Sequence, residues 1–120
     1  MAKILINITH GPEHPTRAAL GFLIGKTAVE EGHDVSLFLA GDAVQLIRDG
    51  VLDSLSGLGT GNLRESFDGF AAGGGRIYLS GLSSKARAVS EADLEGKPAE
   101  MVMPKKLLEL SLEVDRLFTY

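Results

Sequence analysis

The 120-residue chain contains no cysteine. That absence excludes disulfides, thiolate metal centres and thiol nucleophiles. Positive charge is not in excess either, since twelve Lys and Arg stand against sixteen Asp and Glu, a net charge of −4. The basic stripe of a nucleic-acid binder or a membrane-surface protein is therefore missing. Long apolar runs are lacking too. The first, Ile4-Leu5-Ile6-Asn7-Ile8, is too short for a signal sequence or a membrane span and reads as a buried strand. These absences set the expectation of a cytoplasmic protein with no membrane, nucleic-acid, metal or cofactor partner.

What is present suits one core. The hydrophobic fraction is 44% and the charged fraction 23%, and the length fits a single domain over residues 1–120. The fifteen glycines gather at breakpoints between segments that alternate strand-like and helix-like character. That alternation predicts an α/β fold, with a mostly parallel sheet of about five strands covered by helices.

Strands are expected at Ile4–Ile8, Val35–Leu39, Ile77–Leu79, Met101–Met103 and around Leu117-Phe118. Pro15 is placed to start the first helix, because its missing N–H would be unpaired there anyway, and Gly32 to stop it. Asp42 is expected to cap a short helix ending at Gly50. Asp53 to Gly61, rich in Gly and Ser, reads as a mobile loop. Asn62 with Glu65 has the form of a capping box ahead of an apolar face of Leu63, Phe67, Phe70 and Ala71. A further short helix is expected from Ser83 to Val89, a cap at Ser90 with Asp93, and a last helix from Pro104 carrying Leu107, Leu108 and Leu112.

The first helix has no charged or hydrogen-bonding side chain from Ala18 through Gly25. One apolar stripe is enough for a helix lying on a sheet. Leu20, Leu23 and Ile24 supply one, and Ala18, Phe22, Gly25 and Val29 a second. The second stripe points to a subunit interface.

Several catalytic patterns fail on inspection. Gly57-Leu58-Gly59-Thr60-Gly61 matches neither the phosphate-loop nor the dinucleotide fingerprint, and no strand immediately precedes it. His10 and His14 have helical ligand spacing, but Gly11 and Pro12 between them deny helical geometry, and no third ligand cluster accompanies them. Ser80-Gly81-Leu82-Ser83-Ser84 sits where a nucleophile elbow would lie, without the glycines that motif needs. What remains is position, because ligands in parallel α/β sheets gather beyond the carboxyl ends of strands. The loop after the first strand offers His10 and His14, and that after the third offers Ser80, Ser83 and Ser84. Arg17 and Arg87 lie on the first turns of the following helices. Helix amino termini attract anions, so these seven residues together form the expected anion-binding pocket.

Four stretches carry a family resemblance. Thr9-His10-Gly11-Pro12-Glu13-His14-Pro15-Thr16-Arg17-Ala18 is the first, and Gly32-His33-Asp34-Val35 running through Phe38 to Val44 the second. The others are Ile77-Tyr78-Leu79-Ser80-Gly81-Leu82-Ser83-Ser84-Lys85-Ala86-Arg87 and Leu107 to Tyr120. Together they resemble DsrE/DsrF-like proteins over nearly the whole chain. The resemblance implies a three-layer Rossmann-like sandwich that assembles into trimers or hexamers. Sulfur-relay members of that family carry a persulfide on a cysteine ending the third strand, and by motif matching that position is Ser80. A further cysteine of some relatives falls on Ser83, and their Arg-Gly pair appears as Arg87-Ala88.

The expected function is therefore a homo-oligomeric DsrE-like protein that binds a small or anionic ligand without carrying sulfur. Two alternatives stand beside it: an enzyme using His10 or His14 as general base, and a structural partner subunit of cysteine-bearing relatives.

Overall fold

A computed structural model describes all residues 1–120. Its main sheet takes strands β1 (Lys3–Ile8), β2 (Asp34–Leu39), β5 (Arg76–Ser80), β6 (Ala99–Val102) and β7 (Arg116–Thr119) in the order β6-β5-β2-β1-β7. Every neighbouring pair is parallel. The chain moves outward from β1 to β6, then crosses back to place β7 on the other side of β1. The strand order thus reverses between β1 and β7.

Alternation along the strands separates two unequal faces. Ile4, Ile6 and Ile8 of β1, Val35, Leu37 and Leu39 of β2, and Ile77 and Leu79 of β5 join a cluster of 24 buried residues. That cluster also holds Phe22 and Val29 of α1 (Pro15–Glu30) and Leu63, Phe67 and Phe70 of α3 (Leu63–Ala72). On the opposite face the buried cluster has four members, Leu5, Phe38, Tyr78 and Leu110. Only Leu110 of these comes from a helix, α6 (Pro104–Glu113).

Helix α1 lies against the large core through Ala18, Phe22, Gly25 and Val29, all buried, while Leu20, Leu23 and Ile24 are half-exposed. A Cβ on Gly21 would run into the Ile8 side chain, and one on Gly25 would press on Leu37 and Phe70. Bare backbone is what lets this helix sit so close to the sheet. The stripe expected at an interface is thus the core stripe, and Phe22 is fully buried within one chain.

Local signals are partly borne out. Pro15 opens α1, and Gly32 follows it with φ +87°. Asn62 Oδ1 accepts from the Glu65 N–H at 3.3 Å to start α3. Ser90 and Asp93 make both halves of a capping box for α5 (Glu91–Leu94).

Three expectations need correction. Gly41–Ile47 forms a 3-10 helix with Ala40 at its N-cap, and the Asp42 carboxylate caps nothing. Gly50 ends no helix and lies within α2 (Asp49–Ser54). The Gly- and Ser-rich stretch beyond is a small hairpin of β3 (Ser56–Gly57) and β4 (Gly61–Asn62). It lies against α1, where a Cβ on Gly57 would overlap the Thr60 side chain and press on Thr16.

Ion pairs tie α2 to α3. Arg64 reaches Asp49 at 3.0 Å and Asp53 at 2.8 Å, and Lys97 reaches Asp49 at 3.0 Å. The hydrogen bond from Arg64, reinforced by Lys97, holds the Asp49 carboxyl below its ordinary value of 3.8. The hydrogen bonds to Asp53 and then Asp49 raise the Arg64 guanidinium in turn. No helix is long and apolar enough to cross a membrane.

Candidate functional site

The seven expected site residues fall into two groups at the carboxyl edge of the sheet. Ser80 ends β5, and its hydroxyl accepts from the Ser83 N–H at 3.1 Å, capping α4 (Gly81–Ala86). The Ser83 hydroxyl accepts from the Gly41 N–H at 2.9 Å, across to the loop after β2. Arg87 donates through Nε to Asp42 Oδ1 at 3.0 Å and through a terminal nitrogen to the Ser83 carbonyl at 3.2 Å. Arg87 is thus neutralised by a carboxylate of its own chain. Ser84 is fully buried, and its hydroxyl has no hydrogen-bond partner. A ligand arriving from solvent does not meet it.

Strand β2 lies between β1 and β5, so the first and third loops are joined only through the second. The junction is tight, because a Cβ on Gly11 would overlap the Asp42 carbonyl. His10 and His14 stack edge to face with ring centroids 5.3 Å apart.

The second group has a cavity of its own. His14, Thr16, Arg17 and Leu20 line about 430 Å³ together with Thr119 and Tyr120. This lies within the usual range of small-molecule sites. It sits where the strand order reverses, beyond the carboxyl ends of β1 and β7, the place where open α/β sheets bind ligands. The first intrahelical bond of α1 runs from the Ala18 N–H to the His14 carbonyl at 3.1 Å. Ahead of it the Thr16 and Arg17 N–H groups are free of intrahelical partners. No acidic residue occupies the first turn, and no side chain caps it. The positive end of a sixteen-residue helix therefore opens into the cavity beside Arg17 and His14. The Thr16 hydroxyl accepts from the Leu58 N–H at 3.2 Å, fixing the hairpin tip next to this helix end.

The structure therefore brings His14 and Arg17 together in one cavity, and Ser80, Ser83 and Arg87 in a separate hydrogen-bond network. Sequence reasoning missed Thr119 and Tyr120. The signal lay in Leu117-Phe118 being a strand, but its place beside β1 is a matter of strand order. No group of three or more His, Cys, Asp or Glu side chains is arranged to hold a metal ion.

Comparison with known proteins agrees with this architecture. The crystal structure of the ychN protein from E. coli superposes with a TM-score of 0.80 at 21% identity, covering 100% of both chains. No curated protein matches the sequence. The model of the DsrE/DsrF-like family matches residues 2–120, so the chain belongs to the DsrE/DsrF-like family.

Proposed function

We propose that this chain binds a small oxyanion at the reversal point of its sheet and does not itself carry sulfur. The cavity between the uncapped start of α1 and the end of β7 supports the binding half of this reading. It joins a helix amino terminus, a guanidinium and an imidazole, with no Asp or Glu side chain among its lining residues. Ser80 supports the other half. Persulfide chemistry needs a thiol, whose pKa of about 8.5 is readily lowered, and a serine hydroxyl offers nothing comparable. Here that hydroxyl is spent on capping α4.

Self-assembly belongs to the same proposal, with its basis moved from α1 to α6. Leu108 and Leu112 are 61% and 79% exposed, and Leu117 of the edge strand β7 is 53% exposed. A groove lined by Leu107, Leu108 and Leu117 also includes Asn7. A second copy seated there would cover the apolar groups. His14 lies in the oxyanion cavity, which favours a second reading in which it serves as a general base.

Calorimetric titration with inorganic phosphate tests the binding half. Saturable binding weakened about tenfold by Arg17→Ala, a loss of about 1.4 kcal/mol, is expected. An affinity unchanged by that substitution would overturn the assignment. Incubation with polysulfide tests the other half by mass spectrometry. The native chain should gain no sulfur, and a stable one-sulfur adduct would contradict the reading.

A further inference from the structure

The thinly covered face of the sheet holds a second cavity, at the opposite end from the strand-end loops. It is a groove of about 220 Å³ between α6 and the strands, lined by Lys3, Asp34, Ser36, Arg76, Tyr78, Lys106 and Glu113 with apolar neighbours. Its position follows from the two-residue strand period. Lys3, Asp34 and Arg76 begin β1, β2 and β5. Ser36 pairs in register with Arg76, and Tyr78 follows on the same face. Because α6 alone covers this face, the amino-terminal end of these strands stays open beside it.

The polar groups here are only partly matched. Arg76 and Asp34 bond to each other at 3.5 Å, the one side-chain hydrogen bond made among the lining residues. The Lys3 and Lys106 ammonium groups form no ion pair, although the Lys3 backbone N–H donates to Asp115 Oδ2 at 2.8 Å and Lys106 Nζ is held 5.2 Å from the centre of the Tyr78 ring. Ser36 and Tyr78 are largely buried, yet their hydroxyls make no hydrogen bond within the chain and are not shut away from solvent, so they are free to donate to a ligand. Three cations face two carboxylates, one of which Arg76 already neutralises. The balance favours one added negative charge. The volume is below that of a nucleotide site and suits a ligand of a few heavy atoms.

We infer that this groove binds a small oxyanion, a carboxylate or a phosphate. Lys3 and Lys106 balance its charge, and the Ser36 and Tyr78 hydroxyls donate to its oxygens. This site is separate from the one at α1 and does not depend on it.

The test is an NMR titration with inorganic phosphate and with acetate, run on Arg17→Ala so that the α1 cavity contributes little. Amide signals of Lys3, Ser36 and Tyr78 should shift and saturate with at least one anion, and the tighter of the two identifies the class. Lys106→Met should weaken that binding at least fivefold. Tyr78→Phe, which removes one oxygen and keeps the ring, should weaken it about threefold. Shifts no larger than those caused by equal chloride would overturn the inference, as would an affinity unchanged in Lys106→Met.

Discussion

Arg87 Nε donates to Asp42 Oδ1 at 3.0 Å, locking the helix after β5 onto the loop after β2. The Gly41 N–H and the Ser83 hydroxyl make a parallel tie at 2.9 Å. Both side chains of the ion pair are partly exposed, so the Coulomb gain is modest. Arg87→Ala should therefore cost about 1 kcal/mol in urea unfolding and leave phosphate affinity unchanged. A clear loss of phosphate affinity would return Arg87 to the ligand site.

Ser80→Cys should fold, because the side chains differ little in size and a sulfur can still face the Ser83 N–H. Helix amino termini stabilise thiolates, so the new thiol should alkylate with a pKa below about 8.5. The pH dependence of its reaction with iodoacetamide measures this. A value at or above that of a free cysteine would show that the strand end lacks the electrostatics of a sulfur site.

Phe22 and the α6 leucines separate folding from assembly. Phe22 is fully buried, so Phe22→Ala should cost about 3–5 kcal/mol. Leu108→Glu with Leu112→Glu alters exposed positions and should leave the thermal midpoint of the isolated chain nearly unchanged. Light scattering should then show a lower assembly state for the double variant. A native chain that is monomeric at all working concentrations would refute the assembly proposal.

Asp49 gives a pH dependence of known sign. Its folded pKa lies below 3.8, so its ion pairs add stability above that value, lost as pH falls through the lower folded value. Asp49→Asn should lower the melting temperature near pH 7, and the gap to the native chain should narrow as the pH falls below 3.8. A gap that does not narrow at all as the pH falls below 3.8 would assign the effect to packing.

Much of the fold was legible because its signals are local. The alternation of Ile4, Ile6 and Ile8, Pro15 before α1, Gly32 after it and the Ser90–Asp93 box each act within a few residues. Asp42 was misread because its carboxylate serves Arg87, 45 residues away, rather than its own helix. The α1 stripes were exchanged for a similar reason. Gly21 and Gly25 set which side approaches the sheet, and that depends on Ile8, Leu37 and Phe70. The candidate site was half legible. His14 and Arg17 follow from β1 and α1 alone, whereas Thr119 and Tyr120 enter through the return of β7 to the side of β1. Ser84 shows the converse, since a hydroxyl near a strand end was read as accessible and is buried.

The central claim is that the oxyanion cavity lies at the β1–β7 reversal and not at Ser80. Chemical-shift mapping with inorganic phosphate on the native chain tests it most directly. The expected result is saturable shifts at Thr16, Arg17, Thr119 and Tyr120, needing about tenfold more phosphate in Arg17→Ala and unchanged in Ser80→Ala. Shifts confined to Gly81 through Ser84, lost in Ser80→Ala and untouched by Arg17→Ala, would contradict it.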